Sequence, residues 1–126
     1  MLEFIKSMHK SKEIGNIGED LAVKYLKRNG YRILDRNFRA NFGEMDIISL
    51  SPENVMVFIE VKTLNSYSNF NPEDHMTFKK ISNFKKLADF YFNKGKFKCN
   101  GFRLDVIAIV LNENQNPEIR HYENIS

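Results

Sequence analysis

Residues 44–63 read EMDIISLSPENVMVFIEVKT, two apolar runs joined by a short polar link. The runs 44–50 and 55–63 are rich in β-branched and apolar residues and predict strands. Ser51, Pro52, Glu53 and Asn54 between them predict a hairpin connection. Both strands are apolar on both faces through their centres, as expected of a sheet covered on each side. A register symmetric about Glu53 sets Leu50 opposite Met56, Ile48 opposite Phe58, Asp46 opposite Glu60 and Glu44 opposite Lys62. Side chains alternate along a strand, so all eight are expected on one face. The half of that face near the turn is apolar, and the far half carries three carboxylates and a lysine.

Opposed side chains in a sheet have Cβ atoms about 4.5–5.5 Å apart, where like charges are destabilising. Two carboxylates at the margin of a core need something to neutralise them. Lys62 does part of this, and a divalent cation does it better. Mg²⁺ takes oxygen ligands, commonly one or two carboxylates with waters and phosphate. Such an ion polarises a phosphoryl oxygen and lowers the pKa of a bound water. Lys62 stands where it could hold that water or stabilise charge on a phosphate. Asp46, Glu60 and Lys62 therefore make a complete hydrolytic set. An acid two residues before a lysine in a strand is, taken alone, an ordinary solvated ion pair. The apolar residues leading up to these charges on the same face argue for more.

Outward from the hairpin, Ser11 is a suitable N-cap for a helix with Ile14, Ile17, Leu21, Ala22, Tyr25 and Leu26 at helical spacing. Residues 1–10 are expected to be a lead-in or an extra helical turn. Gly30 suits the position after the helix, with positive φ. Gly15, Gly18 and Ala22 form a small-residue face that another backbone could approach. Residues 31–39 predict a strand and 65–74 a polar loop. A long helix is expected over about 75–93, with an apolar stripe of Met76, Ile81, Phe84, Leu87, Ala88, Tyr91 and Phe92, ended by Gly95. Residues 102–111 predict a buried strand, and 117–125 an edge strand.

The 126 residues are enough for one domain, 1–126, and too few for two cores. Hydrophobic residues make up 42%, with 11 Phe and no Trp, so Phe is expected to dominate the packing. The balance of 19 basic and 16 acidic residues, net +3, permits a nucleic-acid partner without requiring one. A lone cysteine, Cys99, rules out an internal disulfide and a cysteine zinc site. His9, His75 and His121 have no ligand spacing and are assigned no role. With neither a secretory leader nor a long apolar run, the expected location is the cytoplasm.

Taken together, GNIGE at 15–19, RNFR at 36–39, GEMDII at 43–48, FIEVKT at 58–63 and RLDVI at 103–107 resemble the YraN family of uncharacterised bacterial proteins. That family in turn resembles the PD-(D/E)XK nuclease superfamily, in particular Holliday-junction resolvases and restriction endonucleases. The likeness covers about residues 12–111, with the motifs in order. It implies an α/β, restriction-endonuclease-like αβββαβ core with a mixed central sheet flanked by helices. It also implies that Asp46 and Glu60 bind Mg²⁺ or Mn²⁺ with help from the main-chain carbonyl of Val61, and that Glu19 completes the set. Lys62 takes the superfamily's lysine role beside the attacking water.

Glu44 either supports the site from behind or pairs with a nearby base. Lys80 falls where similar proteins carry a polar or basic residue near the site. Arg36, Arg39 and Arg103 lie at strand ends and could contact phosphates, with Asp105 expected to pair with one of them. Lys79, Lys85 and Lys86 are expected on a solvated helix face. One position departs from the family pattern: Leu64 stands where an arginine is common two residues after the motif lysine.

The function expected from these features is metal-dependent hydrolysis of DNA phosphodiester bonds, with branched or structured DNA favoured by the resemblance. The competing expectation is a non-catalytic module that binds nucleic acid or a protein partner on the same fold. Paired cuts in branched DNA would suit a homodimer.

Overall fold

A computed structural model describes the backbone of residues 2–94, 98–111 and 116–125, with the side chains of 12–93, 98–111 and 116–125. Its elements follow the order α1 (Leu2–Arg28), β1 (Arg32–Ala40), β2 (Gly43–Leu50), β3 (Met56–Leu64), α2 (Phe78–Lys94), β4 (Phe102–Val110) and β5 (Glu118–Tyr122). The five strands form one sheet in the order β1-β2-β3-β4-β5. β3 and β4 run parallel, and the other neighbours are antiparallel. The sheet is therefore mixed, and its parallel pair is joined through a helix, α2, as a parallel crossover requires. This is the expected αβββαβ order with β5 added along the edge of β4.

The hairpin forms in the register symmetric about Glu53, pairing Leu50 with Met56 and Ile48 with Phe58. Asn54 takes the left-handed conformation that closes the turn (φ 63°), and the Ser51 hydroxyl accepts the Val55 N–H at 3.1 Å. The sheet is covered on both faces. On one face Ile48, Met56, Phe58 and Leu104 pack against Phe84, Leu87, Ala88 and Tyr91 of α2. On the other, Ile47, Val57, Ile59, Ile107 and Ile109 pack against Ala22, Val23 and Leu26 of α1. Phe58 is fully buried and meets the Phe84 ring edge-on at 5.4 Å. Removing a ring buried like this costs about 3–5 kcal/mol.

The helices depart from the expected pattern at their margins. α1 begins at Leu2, well before Ser11. In its stripe Ile17 is 48% exposed, because Gly18 rather than Ile17 faces the sheet. Phe92 is 71% exposed, and Phe90 packs against the core in its place. Gly95, expected to end α2, lies outside the described residues. At the end of α1, Gly30 has φ 84°; its N–H reaches the Lys27 carbonyl and the Tyr31 N–H reaches the Leu26 carbonyl. These two bonds are a Schellman cap, with the glycine in the position that needs positive φ.

Gly18 brings α1 against β3. A Cβ on Gly18 would run into the Thr63 hydroxyl, so only glycine lets the helix lie this close. The neighbouring residue, Glu19, is thereby carried to the sheet end where the acids lie. Gly18→Ala is expected to lower stability by about 1–2 kcal/mol in urea unfolding, because overpacking outweighs alanine's better helix propensity. In a Thr63→Ala background the same change should become neutral or stabilising. A full loss retained in that background would show that Thr63 is not the obstacle.

Candidate metal centre

The β2–β3 ladder ends at Ile47 opposite Ile59. The sequence register continued to Asp46 opposite Glu60 and Glu44 opposite Lys62, and here the structure departs from it. Asp46 Oδ2 accepts the Val61 N–H at 2.8 Å. A side chain thus takes the donor that the Met45 carbonyl would take in a continued ladder, and the two strands part. The alternation slips at the same point. Met45 joins Ile48 in the cluster facing α2, while Ile47 between them faces α1. Across β1, Asn37 adopts a left-handed conformation (φ 50°) and drops out of the pairing between Arg36–Ile47 and Phe38–Met45. The eight side chains expected on one face are therefore not all there. The local slip is what frees Asp46 to turn along the sheet toward Val61.

Asp46 lies in a hostile setting for a negative charge. Burial, and then the neighbouring carboxylate of Glu60, push it from the ordinary 3.8 up to about 6. Its hydrogen bond from the Val61 N–H opposes the shift, and Glu19 adds to it. Glu60 Oε1 lies 3.6 Å from the ammonium of Lys80 on α2. Lys62 is depressed by burial and by the ammonium of Lys80 beside it. Glu19 is largely covered and touches Arg36 at 3.8 Å, while Arg36 makes its shorter contact, 2.8 Å, with Asp20. Asp46, Glu60, Lys62, Glu19 and Lys80 thus converge where β2 and β3 separate between the two helices.

Among the described residues, no three carboxylate, imidazole or thiol groups already stand together as a ligand set. The donor chemistry nevertheless suits a hard cation. Asp46 and Glu60 supply two carboxylates, the second oxygen of Asp46 takes no hydrogen bond among the described residues, and the carbonyl of Val61 lies on the same strand as Glu60. Mg²⁺ is commonly held by one or two carboxylates and completes its shell with water and phosphate. A double positive charge would relieve the repulsion that raises Asp46.

Other expected site residues are engaged with partners within the protein. Arg39 faces Glu44 at 3.7 Å, both largely exposed, so Glu44 takes the second of its two expected places, paired with a base. Arg103 donates from Nε and a terminal nitrogen to Asp105 and from the same terminal nitrogen to the Tyr31 hydroxyl, and it also meets Glu123 at 3.5 Å. Its guanidinium is thus spent within the protein, near the turn end of the sheet, opposite Val57. Asp105 pairs with an arginine as expected, and a residue given no role joins it. His121 Nε2 lies 2.7 Å from Asp105, and its other nitrogen meets the Tyr25 hydroxyl at 3.1 Å. Nothing in the spacing of His121 signalled this, since the contact crosses from β5 to β4. His75 stacks on Phe70, Cys99 is a free thiol, and the side chain of His9 lies outside the described residues. Lys79, Lys85 and Lys86 are exposed.

Sheet order and helices on both faces define the class: a mixed α/β domain with an αβββαβ core. Within it, the chain belongs to the uncharacterised protein family UPF0102, the YraN family to which the sequence motifs pointed, whose model matches residues 18–109. It is 44% identical over 119 residues to a UPF0102 protein of Clostridium botulinum (strain Hall), covering 90% of this chain and 94% of that one. It is 41% identical over 101 residues to a UPF0102 protein of Caldicellulosiruptor saccharolyticus, covering 80% and 85%. Among the described residues, no helix is long and apolar enough to cross a membrane.

The raised Asp46 has a measurable consequence. Below pH 3.8 the group is protonated in both folded and unfolded chains and contributes nothing. As pH rises from there to about 6, the unfolded chain releases this proton first, so the folded state loses stability. Asp46→Asn keeps an acceptor for Val61 and removes the charge. It is expected to melt a few degrees higher than the parent at about pH 7.5 in chelator, with the gap closing by about pH 4. An equal difference at both pH values would show that the Asp46 charge is not under strain.

Proposed function

We propose that this protein is an endonuclease that hydrolyses DNA phosphodiester bonds with Mg²⁺ or Mn²⁺. Asp46, Glu60 and the Val61 carbonyl would hold the ion, and Glu19 would complete its surroundings. The single observation that best supports this is the placement of Asp46. The protein gives up sheet pairing to press a half-buried carboxylate against Glu60, an arrangement that is costly unless a cation is wanted there. The bound ion would lower the pKa of a water and polarise the phosphoryl oxygen.

The protein's own groups do the rest. Lys62 hydrogen-bonds the attacking water or the phosphate oxygen that gains charge. Lys80 exchanges its contact with Glu60 for a phosphate oxygen. Arg36 and Arg39 on β1 offer further cations to the backbone on exchanging their exposed contacts with Asp20 and Glu44. The water oxygen bonds to phosphorus, the bond to the leaving sugar oxygen breaks, and that oxygen takes up a proton. By the superfamily resemblance, the phosphate remains on the 5′ side of the cut. The reading also entails a cytoplasmic protein, and paired cuts in branched DNA would engage a second copy.

Leu64 favours a second reading. An arginine is common at this position in similar proteins, and its loss removes a phosphate contact. A non-catalytic module binding nucleic acid or a protein partner would tolerate that loss better than a nuclease would. Purified protein incubated with linear and branched DNA, in Mn²⁺ or in chelator, separates the two. The enzyme is expected to cut only with metal. Asp46→Ala and Glu60→Ala should each lose cutting by about 100-fold or more while still binding DNA. Binding without cutting in every metal would establish the module. Cutting unchanged by either substitution would mean a contaminating nuclease.

A further inference from the structure

Beside the acid pair, a cavity of about 500 Å³ opens between the β1–β2 turn and the first turns of α2. Glu60 and Lys80 form one wall, so the cavity and the candidate metal centre are continuous. Its lining is apolar at Met45, Leu104, Phe42 and Met76. Met45 and Leu104 are almost wholly covered and belong to the packed core facing α2, so that part of the lining is rigid. Phe42 is itself braced by the ring of Phe90 at 6.0 Å. A volume of this order suits a single small organic group, and the apolar part of the lining gives a flat ring a surface to pack on.

Besides the Arg39–Glu44 ion pair, Glu60, Asn41 and Thr77, the lining carries two kinds of polar group placed to meet a ligand. Asn83 on α2 lies against Gly43, where a Cβ would come within 2.7 Å of its side-chain carbon. Its side chain thus lies close against the β1–β2 turn, and its amide forms no hydrogen bond among the described residues. An amide so placed, with donors and acceptor unused, matches the edge of a nucleobase. At the rim stand Lys79 and Lys80, and Lys79 makes no ion pair among the described residues. Ammonium groups at the mouth of a cavity with an apolar floor complement a ligand with a flat apolar body and a phosphate attached.

We propose that this cavity receives one unpaired nucleobase of the substrate, with Asn83 reading its edge and Lys79 and Lys80 taking the adjoining phosphates. The protein therefore acts on DNA that carries an unstacked nucleotide next to the cut, such as a gap, flap or loop, in preference to intact duplex. This deepens the nuclease reading and rests on it for the cut. The base contact itself is independent of metal. Extruding a base from intact duplex costs unpairing and unstacking energy that an unpaired nucleotide does not require.

The test uses the full chain carrying Asp46→Ala, which blocks cutting and leaves the cavity lining untouched. The probe is 2-aminopurine placed in oligonucleotides either unpaired beside a gap or fully paired. In chelator, binding of the gapped probe is expected to be about tenfold tighter than that of the duplex, with a change in probe fluorescence as the base enters the cavity. Asn83→Ala and the cavity-filling Met76→Trp, each checked for native melting, should remove the preference and the fluorescence change. Equal binding of both probes, or a preference untouched by either substitution, overturns the proposal.

The two readings fail separately. If the parent chain cuts gapped and duplex DNA equally well and the probe does not respond, the nuclease stands and the base pocket falls. If the probe enters the cavity and no metal supports cutting, the base pocket stands and the nuclease falls. No binding to either DNA overturns the base pocket.

Discussion

The hydrogen bond from the Val61 N–H to Asp46 Oδ2 is the point on which the site depends. A ladder that continued past Ile47 and Ile59 would close β2 onto β3 and leave no opening. Instead a carboxylate sits where a main-chain carbonyl would be, and the strands separate with their backbone donor still satisfied. The separation falls where both helices approach, so that Glu19 comes in from α1 and Lys80 from α2. The slip at Met45 and the left-handed turn of Asn37 are the local backbone adjustments that accompany it.

Two aspartates in this sheet show how surroundings decide the fate of the same side chain. Burial acts to raise both. Asp105 is fully buried, yet hydrogen bonds from His121, Arg103 and the Asn124 N–H hold it below the ordinary carboxylate range. Those donors tie β5 and the segment after it to β4, since His121 lies on β5 and Asn124 follows it. Asp46 has one donor and a carboxylate neighbour, and it is driven up. Asp105 is complete and structural, whereas Asp46 is left wanting positive charge. The same contrast explains why Arg103 cannot serve a phosphate while Lys80, holding Glu60 at 3.6 Å and partly exposed, is able to change partners.

Much of the fold was legible from local pattern. The hairpin register as far as Ile47 and Ile59, the sheet covered on both faces, and the cap at Gly30 follow from residue spacing over a few positions. Phe92 and Ile17 were misplaced because the width of a helix's buried stripe depends on what lies opposite, and neighbouring residues compete for its edge. The residues of the candidate site were legible only through motifs, because D and ExK by themselves describe any solvated strand. His121 and Asn83 gave no local signal. Each acquires its place from a contact with a distant strand or turn.

What the amino-acid order determined by itself is periodicity: which segments are strands or helices, which residues form most of each buried face, and which acids share the hairpin. These follow from alternation and helical spacing, which act between near neighbours along the chain. Only the tertiary structure decided where β2 and β3 stop pairing, which charges are spent on internal partners, and what cavity opens beside Glu60. Those outcomes depend on distances between elements far apart in sequence. Desolvation and Coulomb interaction act through space, and a linear pattern does not contain them.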